Sequence, residues 1–312
     1  MSPHPAAMAL ALAIDAGLGW PDSLYRRVGH PVTWCGALIS ALETRWNQGS
    51  STRRRLAGLA TALLVILLAI ALAALLQAAL PRGRAGTLLL AILAWPLIAA
   101  RSLHQHVAAV ARPLGAGDIP AARRAVAMIV GRDPETLDAP GIARAALESL
   151  GENASDGIIA PLFWGALFGL PGIAAYKAIN TLDSMIGHRT PRYLAFGWAA
   201  ARIDDIANLI PARLTALLFA LAARETRLAL RTAWRDARHH RSPNGGWPEA
   251  AMAGALGLRL SGPRIYGNQT AHEPWINAGG RDPGAQDIIA GLALYRRMLL
   301  LAAACLALAT VL

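Results

Sequence analysis

Carboxylates and amides crowd a strongly apolar part of the chain, between Glu148 and Arg213. They fall into three groups at helical spacing: Glu148, Glu152, Asn153 and Asp156; Asn180 and Asp183; and Asp204, Asp205 and Asn208. Oxygen donors of this kind suit a hard cation such as magnesium, which proteins hold through one or two carboxylates while phosphates complete its coordination. The pattern therefore indicates a phosphorylated substrate.

Each group also has a structural interpretation. The first can be a solvated acidic stripe paired with Arg144, and the other two can cap helices at a membrane surface. Three groups within about 60 residues favour a site, because ionisable groups at membrane depth are costly and usually functional. Lys177, the only lysine among 30 basic residues, lies in the same stretch. A compact ammonium is therefore expected to be required there.

The composition indicates an integral membrane protein. Hydrophobic residues make up 55% of the chain and charged residues only 16%, whereas about a quarter of a soluble domain is charged. The segment from Leu56 to Leu80 carries no charge and is long enough to cross a hydrocarbon core of about 30 Å. Weaker apolar segments lie at residues 6–20, 85–100, 158–175, 206–223 and 298–312.

Helix signals and basic loops frame these apolar segments. Residues 101–157 form an amphipathic, helical pattern in which Asp118 and Asp138 are predicted N-caps, each followed by a proline. The arginines at 53–55 and between 224 and 241 are expected to face the cytoplasm by the positive-inside rule. The net charge of +11 is dispersed over such loops, so no nucleic-acid partner is predicted.

One continuous helix from Asp156 to Asn180 would place these residues about 36 Å apart, too far for a shared site. Prolines and glycines interrupt this segment, most densely at Leu170-Pro171-Gly172. We therefore predict a break there, which turns the segment into a re-entrant hairpin or two half-helices.

The predicted fold class is all-α: a polytopic helical membrane protein with broken or re-entrant helices and cytoplasmic amphipathic helices. We expect one integral membrane domain over residues 1–312. Within it we place the amphipathic cytoplasmic helices at 101–157, a catalytic core at 148–213 and a polar substrate-covering loop at 242–285. That last stretch is rich in glycine and proline, which are also typical of an ordinary surface loop.

Several motifs in the chain are specific when taken together: Ala146–Asn153 with Asp156, Ala160–Phe163, Tyr176–Met185, Ala200–Arg202 with Asp204–Asp205 and Ala207–Asn208, Ile210–Arg213, Ser242–Asn244 with Gly246–Glu249, and His30–Val32. They resemble the adenosylcobinamide-phosphate synthase family of cobalamin biosynthesis, CobD/CbiB. The resemblance covers nearly the whole chain apart from residues 56–100.

The resemblance implies a multi-pass enzyme of the bacterial inner membrane with its active site facing the cytoplasm. It would join aminopropanol, or its O-phosphate, to the free propionate carboxylate of adenosylcobyric acid. Amide formation in water requires activation, so ATP as cosubstrate and Mg2+ are expected. The expected partners are these corrinoid and aminopropanol phosphate substrates and membrane lipid, with a homo-oligomer or association with other corrinoid-pathway enzymes left open.

The resemblance to this family implies roles for the motif residues. The predicted metal ligands are Glu152, Asp156, Asp183, Asp204 and Asp205. The predicted phosphate contacts are Lys177, Arg202 and Arg213, and Glu148 is the predicted general base for the amine. The predicted substrate-binding residues are Asn153, Asn180, Asn208, Ser242, Asn244, Trp247 and Glu249.

Two other functions share this residue inventory. An intramembrane prenyl or phosphatidyl transferase would also use paired acids to hold magnesium and pyrophosphate, and a transporter would use broken helices to hold a polar substrate at the midplane. His30 could ligate a corrinoid cobalt, but a histidine before Pro31 is more typical of a helix entry.

Overall fold

A computed structural model of the protein describes residues 3–130, 134–266, 269–271 and 273–311. Helices dominate the described residues, and the strands are limited to two antiparallel pairs. The predicted all-α membrane fold is therefore confirmed. Residues 267, 268 and 272 of the predicted polar loop lie outside the described residues.

Among the described residues, four helical stretches are long and apolar enough to cross a membrane: Ser51–Ala78, Arg84–Gly115, Ala139–Ile186 and Ala285–Val311. The number rises to five if Trp198–Ala207 and Leu209–Ala222 form one broken span. The strong prediction at 56–80 is confirmed. The first apolar segment forms a helix of only 15 residues, His4–Leu18, which is shorter than the roughly 20 residues a span requires.

The chain divides into two compact units. Unit 1 comprises residues 1–99, 160–208 and 305–312. Its helices are α1 (His4–Leu18), α2 (Asp22–Val28), α3 (Pro31–Trp46), α4 (Ser51–Ala78), α5 (Arg84–Ala94), α9 (Ala160–Ile186) and α10 (Trp198–Ala207), with a 3-10 turn at Trp95–Leu97.

Small residues let helix α4 pack closely inside unit 1. Gly58, Thr61, Ala62 and Val65 lie on its buried side, whereas its leucines are largely exposed. A Cβ atom at Gly58 would lie 1.8 Å from the carbonyl oxygen of Phe196. Small buried residues and exposed leucines are the arrangement expected of a helix that faces lipid on one side and packs against protein on the other.

Helix α9 is broken at Gly169, one residue before the predicted Leu170-Pro171-Gly172 position. Gly169 has φ 68° and ψ −147°, which is outside the helical region. A Cβ atom at Gly172 would lie 2.2 Å from the carbonyl oxygen of Trp164, and one at Gly165 would lie 3.3 Å from the Cβ atom of Ile173. Residues eight apart are about 12 Å apart along a straight helix. The chain therefore reverses here, and the predicted break is confirmed.

Unit 2 comprises residues 100–159 and 209–304. Its helices are α6 (Ala100–Gly115), α7 (Ile119–Ala127), α8 (Ala139–Ala154), α11 (Leu209–Ala222), α12 (Thr226–Asp236), α13 (Gly246–Leu256) and α14 (Ala285–Val311), whose last residues belong to unit 1. A π-helical turn lies at Ser155–Ile159, and a 3-10 turn lies at Ala237–His239. The strands are β1 (Leu260–Ser261), β2 (Arg264–Tyr266), β3 (Gln269–Ala271) and β4 (Trp275–Ile276), paired β1 with β4 and β2 with β3.

Both predicted helix caps are present in unit 2. The Asp118 carboxylate accepts a hydrogen bond from the Ala121 amide at 3.0 Å, and that of Asp138 accepts one from Gly141 at 2.8 Å. These bonds satisfy amides that have no partner inside the first turn.

Two arginines that stack on Trp275 stabilise the polar stretch that follows α13. The guanidinium carbons of Arg144 and Arg259 lie 4.7 and 4.6 Å from the ring centre of Trp275. Both arginines also donate to Asp282, at 3.0 and 2.8 Å. Arg144 therefore pairs with this aspartate, not with the acids of its own helix as the structural alternative supposed. The cluster ties α8 to the strands and to the start of α14.

The Asp282 cluster makes the stability of unit 2 sensitive to acid. The hydrogen bond from Arg259 first, and then that from Arg144, hold the pKa of Asp282 below its ordinary value, although burial opposes them. A lowered folded-state pKa stabilises the protein above the unfolded pKa, and this contribution is lost as the pH falls below about 4.

We therefore expect Asp282→Asn to unfold at a lower temperature than the wild type at pH 7, and the difference to narrow as the pH falls from about 4 towards 3. Thermal unfolding in detergent between pH 3 and 7 measures this. Glu225→Gln, at an exposed acid before α12, is the matched control. A gap between Asp282→Asn and the wild type that stays constant with pH would contradict the assignment.

Candidate functional site

The predicted site residues of unit 1 lie on α9, on α10 and at Asn208, which directly follows α10. Tyr176, Asn180 and Asp183 are spaced i, i+4 and i+7, so they share one face of α9. The Tyr176 hydroxyl donates to the Asn208 side-chain oxygen at 2.9 Å, and the Asn208 amide donates to Asp204 at 3.0 Å. The polar face of α9 is therefore joined to the acidic end of α10, and the sequence reading missed the part played by Tyr176.

The remaining unit 1 residues surround this junction. Asp205 forms an ion pair with Arg202 at 3.7 Å. Asp183 is half-buried, and its carboxylate lies over Gly187, where a Cβ atom would be 2.0 Å from Oδ1. Glycine at 187 thus leaves room for this carboxylate.

Lys177 lies near the start of α3. The His30 ring accepts a hydrogen bond from the Val32 amide at 3.2 Å and so caps this helix, as the helix-entry interpretation predicts. Burial, and then the charge of Lys177, lower the pKa of His30. The imidazole is therefore neutral near pH 7, as a hydrogen-bond acceptor must be.

Arg213 organises the predicted site residues of unit 2. It extends from α11, donates to the Asn244 side-chain oxygen at 2.9 Å and lies over the Trp247 ring at 4.8 Å. It also donates to the Pro243 carbonyl at 3.4 Å. The planar guanidinium thus makes a polar contact through its edge and an aromatic contact through its face. Two motifs that are distant in sequence, Ile210–Arg213 and Ser242–Glu249, meet at this one side chain.

The turn at residues 240–246 is held by short-range hydrogen bonds. The Ser242 hydroxyl accepts from the amides of Asn244 and Gly245, at 3.2 and 3.1 Å. His240 Nδ1 accepts from the Ser242 amide at 3.1 Å, which leaves Nε2 directed at Glu249, 3.6 Å away. The His240 and Glu249 side chains are both almost fully buried. The sequence reading missed His240, although it lies two residues before the Ser242–Asn244 motif.

Part of the stretch predicted as a polar loop is helical. Helix α13 (Gly246–Leu256) lies inside the predicted loop at 242–285, and Trp247 and Glu249 lie in its first turn. The close approach of α8 explains why this part of the stretch is helical. Gly151 of α8 has no side chain, and a Cβ atom there would lie only 3.3 Å from the Cα atom of Glu249. Packing against α8 therefore extends this helix beyond its apolar part.

The acidic residues on α8 lie in different surroundings. Glu148 is buried and accepts a hydrogen bond from the Ser261 amide at 2.7 Å, where Ser261 has a left-handed backbone with φ 60°. Glu152 is exposed and lies beside the turn at Gly245. The role of Glu148 as a general base stays a prediction, and its contact shows that it also positions the strand pair β1–β4.

The other two members of this group lie at the end of α8. The Asn153 amide donates to the Ser149 carbonyl at 2.9 Å. Asp156 lies in the π turn, where the helical repeat changes. The expected i, i+4 register therefore applies to Glu148 and Glu152, and Asp156 follows a different repeat.

No three His, Cys, Asp or Glu side chains among the described residues are grouped so that they could hold a metal ion. Magnesium commonly keeps several waters and uses one or two protein carboxylates together with substrate phosphates. The carboxylates and amides of α9 and α10 are the donor types it prefers, so the donor set fits this ion. The five predicted metal ligands stay a prediction.

Comparison with known proteins identifies the family to which these motifs belong. The family model described as CobD/Cbib protein matches residues 8–295, which is most of the chain. This chain belongs to the CobD/CbiB family. The match includes every predicted site residue, from Glu148 to Glu249.

Curated relatives in the CobD/CbiB family are similar over nearly their full length. A "Cobalamin biosynthesis protein CobD" of Rhodobacter capsulatus is 64% identical over 292 residues, covering 94% of this chain and 93% of the relative. Proteins of the same name from Brucella suis biovar 1 and Sinorhizobium fredii are 50% and 48% identical, and each covers more than 90% of both chains. No solved structure matches this chain.

Proposed function

We propose that this protein is an amide-forming enzyme of cobalamin biosynthesis. It joins the free propionate carboxylate of adenosylcobyric acid to aminopropanol, or to its O-phosphate, and releases adenosylcobinamide or its phosphate. The observation that carries the proposal is the 64% identity to a cobalamin biosynthesis protein over 94% of the chain. The comparisons give no support to the transferase and transporter alternatives.

The reaction needs an activated carboxylate. In the proposed sequence, the propionate oxygen attacks ATP to form an acyl phosphate with release of ADP, or an acyl adenylate with release of pyrophosphate. The amine then attacks the acyl carbon. Phosphate or AMP leaves, and the amine loses a proton to a base. Magnesium, when bound, would neutralise charge on the phosphates.

The chain's own residues would supply the remaining functions. The proposed magnesium ligands are Glu152, Asp156, Asp183, Asp204 and Asp205. Asn153, Asn180 and Asn208 would orient the coordination shell of the ion or donate hydrogen bonds to phosphate. Lys177 would follow a moving phosphoryl group as a point charge, whereas Arg202 and Arg213 would make fixed contacts. Glu148 is the proposed base, and Ser242, Asn244, Trp247 and Glu249 would contact the corrinoid.

The proposed location is the bacterial inner membrane, with the active site on the cytoplasmic side. The support is the arginine content of the segments flanking α4 and following α11, because basic loops stay in the cytoplasm. ATP and corrinoid precursors are found in that compartment.

Product analysis by mass spectrometry tests the reaction. Detergent-purified protein is incubated with adenosylcobyric acid, ATP, magnesium and either aminopropanol or its phosphate, and each component is omitted in turn. A corrinoid amide that requires ATP and magnesium supports the proposal, and the productive amine identifies the substrate. Absence of any amide product from folded, monodisperse protein would contradict it.

Arg213 offers a sharper test of the unit 2 contacts. Lysine keeps the charge but lacks a planar guanidinium. It therefore cannot donate hydrogen bonds to Asn244 and Pro243 and stack on the Trp247 ring at the same time. We expect Arg213→Lys to lower kcat/KM by about 10- to 100-fold, the value of a hydrogen bond from a charged group. Arg112→Lys, at an exposed position on α6, is the control, and equal activities of the two variants would remove Arg213 from the site.

A further inference from the structure

A groove in unit 2 separates the outer side of α11 from α12. Its volume is about 750 Å3. Its walls combine large apolar side chains with three arginines: Leu217, Leu228, Leu230, Trp234 and Trp247, with Arg213, Arg231 and Arg235. A groove with this lining accommodates an apolar chain that carries a negative charge at one end.

Helix α12 carries a single stripe of arginines that extends past both of its ends. The stripe consists of Arg224, Arg227, Arg231, Arg235 and Arg238, spaced by three or four residues, which places them on one helical face. The opposite face, with Ala229, Ala233 and Asp236, is buried in the unit. The stripe is therefore the outward side of α12. Within it, the Arg235 guanidinium turns back and donates to the buried Asp236 at 2.6 and 2.7 Å, so the outward charge comes from the other four arginines, which are exposed.

Large apolar side chains flank this stripe and are exposed. Trp234 is 78% exposed, and its ring lies edge-on to Trp247 with centroids 6.0 Å apart. Leu230, one helical turn before Trp234, is 39% exposed. Tryptophan and leucine beside arginines are typical of helices at the boundary between lipid tails and headgroups.

The position of α12 in the chain is consistent with that boundary. It begins four residues after the apolar helix α11 ends at Ala222, and Leu217 and Leu221 on α11 are exposed. Leu217 belongs to this apolar surface and also lines the groove. The groove thus joins an apolar helix surface to a row of positive charges over a short distance.

We propose that this groove binds an anionic phospholipid. Its phosphate contacts the arginine stripe at Arg227 and Arg231, and one acyl chain lies along Trp234, Leu230 and Leu217. The charge of the stripe selects an anionic headgroup over a zwitterionic one. The apolar walls select a lipid over free phosphate, because inorganic phosphate would leave Trp234 and the leucines exposed to water.

Lipid binding is measured on the full chain, delipidated in a neutral detergent, by native mass spectrometry during titration with phosphatidylglycerol or phosphatidylcholine. We expect the wild type to prefer phosphatidylglycerol. The double variant Arg227→Gln/Arg231→Gln should bind it about thirtyfold more weakly, since each arginine near an anionic headgroup contributes a factor of about five. Inorganic phosphate at the same concentration should not displace the lipid.

The matched control removes the same charge elsewhere. Arg82→Gln/Arg84→Gln lies at the exposed start of α5, and it should bind phosphatidylglycerol as the wild type does. Equal weakening in both double variants would reduce the effect to net charge and overturn the proposal. So would an unchanged affinity in Arg227→Gln/Arg231→Gln.

A second variant separates the acyl contact from the charge and from any loss of folding. With phosphatidylglycerol brominated on its acyl chains, Trp234→Phe should lose a large part of the fluorescence quenching seen in the wild type, while its size-exclusion profile stays the same. Undiminished quenching in this folded variant would show that the acyl chain lies elsewhere and would overturn the proposed groove.

Discussion

Asp183→Asn is expected to lower amide formation by about a hundredfold or more. Losing a group that only orients a metal ligand costs about 10- to 100-fold, and losing a proposed ligand should reach at least the upper end of that range. Asparagine preserves the shape of the side chain and removes its charge, so α9 should keep its fold. The measurement is the rate of corrinoid amide formation at saturating substrates over a range of magnesium concentrations.

The magnesium titration makes this result specific to a metal role. If Asp183 helps to bind the ion, the residual activity of Asp183→Asn should need a higher magnesium concentration than the wild type. Glu225→Gln serves as the control because it removes an exposed carboxylate outside the motifs. Near-normal turnover of Asp183→Asn, or a reduced rate with an unchanged magnesium requirement, would contradict its assignment as a ligand.

Gly172→Ala is expected to destabilise unit 1 by about 2 kcal/mol or more, the cost of overpacking a tight interior. The added Cβ atom would lie 2.2 Å from the carbonyl oxygen of Trp164 and 2.8 Å from Cβ of Phe168. A backbone carbonyl cannot move aside as a flexible side chain can, so the two arms of the α9 hairpin must separate. The expected fall in Tm is about 5 °C.

The same substitution at Gly17 is the matched control. No atom lies within 4 Å of a Cβ atom at this position in α1, and alanine is a better helix former than glycine by about 1 kcal/mol. Gly17→Ala should therefore leave Tm unchanged or raise it slightly. Thermal unfolding of both variants in one detergent decides the matter, and a Gly172→Ala protein as stable as Gly17→Ala would contradict the packed hairpin.

Local sequence determined those features whose causes act within a few residues. The charge-free run at 56–80 requires a long apolar helix, and α4 is that helix. Asp118 and Asp138 cap helices because an aspartate side chain reaches the amide three residues further on. The interruption of α9 was predicted to within one residue, because glycine and proline weaken a helix wherever they cluster.

The motifs also determined the family, since specific residue combinations at defined spacings can be recognised without any knowledge of the fold. Which side chains touch within a motif was a different matter. The π turn that places Asp156 outside the i, i+4 register has no distinct local signal. The start of α13 at Gly246 depends on packing against α8.

Only the tertiary structure decided the long-range contacts. Tyr176 meets Asn208 across 32 positions, Arg213 meets Asn244 across 31, and Glu148 meets the Ser261 amide across 113. His240 acquires its place beside Glu249 in the same way. Such pairings depend on which helix faces come together, and this is settled by the packing of all elements of a unit at once. Sequence by itself therefore determined the membrane class, the caps, the break and the family, whereas packing decided which of the motif residues act together.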